Sequence, residues 1–401
     1  MTDLFWPGDH LAGELMSDRA FLRAMLAVEQ AWLDALVDGG IAPAAARVTL
    51  TGLVDDDDGE TPARQADSDG NPVSALVALL RERTAEPTSR WIHRGLTSQD
   101  VVDTALMLCL RDALDRLAEQ IAEQVDALAA LADAHRGTPM LARTLTQPAL
   151  PSTVGVRVAA WLTGLLDAAT PVVGLRDSLP VQLGGAVGTL AAIVELAGSV
   201  EGAVALSDTV AVALGLAPAL PWHTTRAPLT RIGDLLVGLC DAWGHLATDV
   251  ATGSRSEIGE FVEGTGGGSS TMPHKHNPVA AVLLRRTALT AAPLAATLHT
   301  AAALTVDERA DGAWHAEWAT VRTLARRTVV AAAHATALVT GLRVDADRAA
   351  ANLAAAADLR AEQSTMAKLV GREPESSYLG AADLVVAAAL DRASRYRKDP
   401  S

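Results

Sequence analysis

Lysine is nearly missing from this 401-residue chain: Lys275, Lys368 and Lys398 are the only three among 33 basic residues. Basic charge is scarce as a whole. Against it stand 48 Asp and Glu, for a formal net charge of −15, which excludes nucleic acid or an anionic membrane as partner because both need a basic face. An anionic substrate would therefore need a local basic pocket. Cysteine is limited to Cys109 and Cys240, each inside an apolar helical pattern, which points to buried free thiols in a reducing compartment. The opening MTDLFWPGDHL lacks a basic segment followed by an apolar run, so no secretory signal is expected. The apolar stretches LGGAVGTLAAIV and VVAAAHATALV are interrupted by Gln182, Glu195, His334 and Arg343 before they reach spanning length. A cytoplasmic protein is expected. Runs of alternating β-branched residues are lacking as well.

Helical periodicity is what remains. Ile232, Leu235, Leu239, Trp243, Leu246 and Val250 recur every three or four residues, a single apolar stripe. A second stripe runs through Leu106, Leu110, Leu114, Leu117, Ile121, Val125, Leu128 and Leu131. Similar patterns cover roughly 152–170, 184–214, 279–303 and 317–341. Four breaks separate them, at 54–72, 134–152, 215–228 and 251–278. The reading is all-α: an N-terminal domain over 1–103, a long-helix bundle over 104–342 and a short helical C-terminal domain over 343–401. A hydrophobic content of 49% beside 20% charged residues suits a soluble protein with much surface buried between subunits.

Three polar islands lie between the helices, where bundle proteins build sites. In WIHRGLTSQDVVDT (91–104), Thr97 and Ser98 precede Asp100 at a helix start, where hydroxyls and free backbone N–H groups suit a carboxylate. The second, ARTLTQPALP (142–151), packs Arg143, Thr144, Thr146 and Gln147 together. The third is GGSSTMPHKHNP (267–278), polar and glycine-rich. Asn277 can cap a helix whose first residue is Pro278, placing Lys275 beside that helix's positive end. No Gly-Lys-Ser/Thr phosphate loop is present, and His274 and His276 lack a third ligand nearby, so no metal site and no cofactor are expected. Trp314 and Trp318 read as core or interface.

These islands, RGLTSQDVVDT, RTLTQPALPSTVG and GSSTMPHKHNP, resemble in order and spacing the three signature regions of the fumarase/aspartase superfamily. LPVQLGGAVGTLA (179–191) and DERADGAWHAEW (307–318) resemble one branch, the bacterial 3-carboxy-cis,cis-muconate cycloisomerases. The resemblance implies a homotetramer whose long helices form a central bundle, with each active site shared between subunits and a small polycarboxylate as substrate. It also implies a place in protocatechuate breakdown through the β-ketoadipate pathway. By position, Ser269 matches the catalytic serine, and Lys275 and Asn277 the residues that hold the reacting carboxylate. Thr97, Ser98, Thr144, Gln147, Ser270 and Met272 match substrate contacts, and His93 falls where adenylosuccinate lyases have a functional histidine. Arg143 and Arg309 are candidates for anion binding, and His315 for lining the pocket.

The chemistry of the superfamily forms a dianionic aci-carboxylate, which a cation and an amide aimed at its oxygens stabilise. Gly264, Gly266, Gly267 and Gly268 are expected to let the third island close as a lid that excludes water. One departure narrows the reaction. Fumarases and adenylosuccinate lyases usually carry an acidic-role histidine after the threonine of the second region, and this chain has Leu145. Amine or hydroxide elimination needs that proton; a carboxylate leaving group does not. Lactonisation by the substrate's own carboxylate is thus the expected reaction, with nitrosuccinate elimination as the alternative because nitrite is also a weak base. Asp307 replaces a histidine common in related cycloisomerases. A non-catalytic scaffold, as in lens crystallins of this superfamily, is opposed by the intact Ser269, Lys275 and Asn277.

Overall fold

A computed structural model describes residues 3–264, 267–268, 272 and 275–398. The N-terminal part carries α1 (Asp18–Asp38), α2 (Glu60–Asp69), α3 (Val73–Glu82) and the single turn α4 (Thr88–Trp91). Then comes α5 (Ser98–Ala134), followed by the hairpin β1 (Pro139–Thr144) and β2 (Gln147–Thr153). α6 (Val154–Ala169), α7 (Pro171–Asp177), α8 (Ala191–Ala197), α9 (Val200–Leu214) and α10 (Ala227–Gly253) lead to three two-residue strands, β3 (Phe261–Val262), β4 (Gly267–Gly268) and β5 (His276–Asn277). α11 (Val279–Ala303) and α12 (Gly312–Gly341) complete the bundle, and β6 (Arg343–Val344), α13 (Ala346–Ala355), α14 (Ala361–Leu369) and α15 (Ala382–Lys398) end the chain.

The stripes form the core. Leu114, Leu117, Ile121, Val125 and Leu128 of α5 are buried, as are Ile232, Leu239, Trp243 and Val250 of α10. Each fully buried leucine contributes about 2 kcal/mol. α5 and α12 run side by side in one direction. Asp103 meets Trp314 near their starts, and Gln124 meets Ala332 and Thr336 further along. Helix α15 returns to this body, with Arg392 paired to Asp167 and Val386 fully buried.

One expectation is corrected. The 184–214 pattern is not one helix: Gly185 and Gly188 take positive φ (68° and 77°), and helix begins only at Ala191. Gly198, at φ 75°, then breaks α8 from α9. Two helices also bear on membranes. By length and composition alone, Val154–Asp177 and Val279–Ala303 are long and apolar enough to cross one. In the fold, α6 instead spends its apolar face on the bundle through Val158, Trp161, Leu162 and Leu165, and Trp161 donates to Asp249 of α10.

Candidate active site

The three islands sit at two ends of the bundle. α5 has 37 residues, so Thr97 at its start and the hairpin after its end lie ~55 Å apart within one chain.

At the first end, Thr97 is the N-cap of α5 with extended φ and ψ (−119°, 162°), and its N–H donates to Asp100 at 2.9 Å. Asp100 does far more than mark a helix start. Its fully buried carboxylate also accepts from the N–H of Gly184 (2.8 Å) and Gly185 (3.0 Å), with His223 Nε2 at 3.1 Å. The glycines are required because a Cβ at Gly184 would lie 2.8 Å from the His223 ring. One turn on, Asp103 and Glu317 grip the buried Arg226 at 2.7 Å each, and the Trp314 indole N–H donates to Asp103 at 2.9 Å. Burial alone would push the Arg226 guanidinium down, but Asp103 and Glu317 hold it above its ordinary value. Burial raises the Glu317 carboxyl, with Arg226 opposing. Thr97 and Ser98 thus stand half-buried on a helix end fixed from beneath. His93 is half-buried beside them, its Nδ1 2.6 Å from Oε1 of the buried Glu29.

At the far end, β1 and β2 pair in a tight hairpin with Thr144 opposite Gln147. Its two turn residues, Leu145 (φ 48°) and Thr146 (φ 72°), both take the left-handed conformation. Thr144, Leu145, Thr146 and Gln147 are all exposed, Leu145 at 97%. Arg143, expected to hold a substrate carboxylate, is instead paired with the buried Glu260 at 3.0 and 3.2 Å, and Asn352 donates to the same carboxylate. That pair fastens the hairpin to the root of the third island within one chain.

The third island differs from expectation in two ways. Asn277 does not cap α11. It lies in β5 opposite Gly267, and Pro278 occupies the N-cap position. The free N–H groups of Ala280 and Ala281 are taken by Glu263 (3.1 and 2.8 Å), so the positive helix end beside Lys275 already holds a carboxylate. Gly264 and Gly267 serve close packing rather than freedom: a Cβ would fall 2.6 Å from Gly341 O and from Val279 Cγ2, respectively. Lys275 and Met272 are exposed, joined by a backbone bond from Lys275 N–H to Met272 O. Ser269, Ser270 and Gly266 lie outside the described residues.

Of the remaining candidates, Arg309 is exposed. His315 has both ring nitrogens on backbone carbonyls, Asp311 O at 3.0 Å and Gly70 O at 2.8 Å, and Trp314 is core. Both thiols are buried, which pushes each up to about 12. Sequence reasoning missed Glu29, His223, Arg226, Glu260, Glu263 and Glu317. A signal existed for Glu29, which interrupts the α1 stripe Leu22, Met25, Leu26, Trp32, Leu33, Leu36 at a core position. None existed for the two glutamates that anchor the third island, whose partners are 117 and 17–18 residues away.

Residues 63–292 match the model of a family described as Lyase. A nitrosuccinate lyase of Streptomyces davaonensis is 42% identical over 349 residues, 84% of this chain and 73% of that protein. A 3-carboxy-cis,cis-muconate cycloisomerase of Bradyrhizobium diazoefficiens is 39% identical over 346 residues, 84% of this chain and 75% of that protein. The crystal structure of a 3-carboxy-cis,cis-muconate lactonizing enzyme from Pseudomonas putida matches with a TM-score of 0.86 at 30% identity, covering 96% of this chain and 97% of that one.

Proposed function

Because this chain belongs to the fumarase/aspartase superfamily of lyases, we propose that it is a cytoplasmic cycloisomerase that lactonises 3-carboxy-cis,cis-muconate in aromatic degradation, at the protocatechuate branch. The observation that carries the reading is Leu145: an exposed apolar side chain stands where an acid would serve a basic leaving group. In lactonisation a carboxylate oxygen adds to the double bond, the electron pair moves into an aci-carboxylate, and only carbon is protonated. Lys275 and Asn277 hold the dianion, Thr97 and Ser98 a second carboxylate, with Gln147 and Thr144 as further contacts and Ser269 as the acid/base. The scheme needs no metal or cofactor.

Each site is shared in a homotetramer. The ~55 Å between the ends of α5 keeps Thr97 from the hairpin of its own chain. Val282 and Leu289 of α11, 53% and 78% exposed, supply apolar surface for helix packing between copies.

Nitrosuccinate elimination is the second reading, favoured by the relative at 42% identity. Purified protein should consume 3-carboxy-cis,cis-muconate in a spectrophotometric assay and leave fumarate and adenylosuccinate untouched. Ser269→Ala should lower kcat by about a hundredfold or more with KM little changed. Turnover of nitrosuccinate alone would transfer the assignment to the lyase; a near-normal Ser269→Ala would remove the serine from the scheme.

A further inference from the structure

His93 is held more firmly than a connecting segment needs. It sits at φ 60°, a conformation that side chains rarely adopt, and strain of that kind persists only where surroundings enforce it. They do so on both sides. Arg81 of α3 donates to the carbonyl of Ile92 at 2.9 Å, and Trp32 of α1 donates to the carbonyl of Arg94 at 2.8 Å. Gly95 follows at φ 89° against the Trp32 ring. Three residues before Trp32, on the same face of α1, Glu29 meets the imidazole itself, with Oε1 2.6 Å from Nδ1. Its other oxygen, Oε2, is buried and has no hydrogen-bond partner. A side chain kept only for packing would not be a carboxylate with one oxygen unsatisfied, because that arrangement is costlier than an apolar one.

We propose that Glu29 is the positioning residue of a Glu29–His93 dyad. It fixes the Nδ1–H tautomer, so that the ring exchanges protons only through Nε2, beside the carboxylate-binding start of α5. The neutral ring donates Nδ1–H to Glu29 and keeps its lone pair on Nε2. The inference rests on the lactonising reading for its substrate. There, a carbon–oxygen bond forms, the double-bond electron pair enters the aci-carboxylate, and one proton from solvent ends on carbon. His93, with its side chain 16% exposed, takes that proton at Nε2 and passes it inward, returning to its starting form. At the α5 start the unpartnered Nδ1 of His223 is buried, whereas the free nitrogen of His93 belongs to a side chain that reaches solvent.

Two measurements test the dyad. The first needs no substrate: 15N NMR of histidine-labelled protein should show His93 as the Nδ1–H tautomer, and Glu29→Gln, whose amide can donate to Nδ1, should shift it towards Nε2–H. The second is kinetic, on whichever substrate the protein turns over. Glu29→Gln should lower kcat by about a hundredfold or more with KM within a few fold. Glu29→Asp should recover part of it. The double variant Glu29→Gln/His93→Gln should be no slower than His93→Gln, as for residues that act as a unit. An Nε2–H tautomer in the wild-type protein overturns the proposal, as do additive losses or a Glu29→Gln enzyme within threefold of wild-type kcat. Loss of cycloisomerase activity with the tautomer result intact would fault the substrate and spare the dyad.

Discussion

Asp103 and Glu317 both lean on one guanidinium, Arg226, so two buried carboxyl groups share one cation beneath the start of α5. Such an arrangement favours a defined geometry over stability, since the desolvation of each ion is only partly repaid. Glu317 reports that balance. Burial raises its carboxyl above the ordinary 4.5, against the pull of Arg226. A raised folded value means that folding favours the protonated form. The associated stability is full below pH 4.5 and is lost as pH climbs through the folded value. Glu317→Gln keeps an acceptor for Arg226 and removes the charge. Denaturant unfolding at pH 7 should therefore find it as stable as wild type or better by ~1 kcal/mol, with the gap closing as the pH is lowered. A loss of several kcal/mol at pH 7 would mean that the triad needs both charges.

Among the elements, the hairpin between α5 and α6 carries the clearest local conflict between sequence and conformation. A two-residue hairpin turn with positive φ at both positions suits Asn-Gly, and this one is made by Leu145 and Thr146. Replacing the pair with Asn-Gly should raise stability by about 1 kcal/mol, read as a higher Tm. An unchanged or lower Tm would show that the turn is not strained. The same conflict explains what could be read from the chain beforehand. The long helices were legible, because stripes such as Leu106–Leu131 and Ile232–Val250 repeat over many turns and depend only on local spacing. The hairpin was not: Pro148 and Pro151 interrupt β2, and no turn signal precedes it. Thr97 and Ser98 were legible as a helix start. Asn277 was misread as a cap since the true capping group, Glu263, reaches α11 from the other side of the island. Arg143 was misread because Glu260 lies 117 residues away, a distance at which spacing carries no signal.

For the molecule as a whole, the decisive geometry is the length of α5, which sets Thr97 and the hairpin at opposite ends of each chain. Thr97→Val protein and Ser269→Ala protein, each expected to be inactive alone, should regain part of the activity when mildly unfolded together and reassembled. Native mass spectrometry would verify that hybrids form; hybrids that stay dead would return each site to a single chain. The proposed division of each catalytic centre between chains has a consequence for inheritance. In a cell expressing an intact and a damaged copy of the gene, each faulty chain would enter mixed assemblies and spoil centres that its neighbours were meant to complete. Output would then fall by a different fraction than the share of faulty chains, and two different lesions could together do better than either one alone.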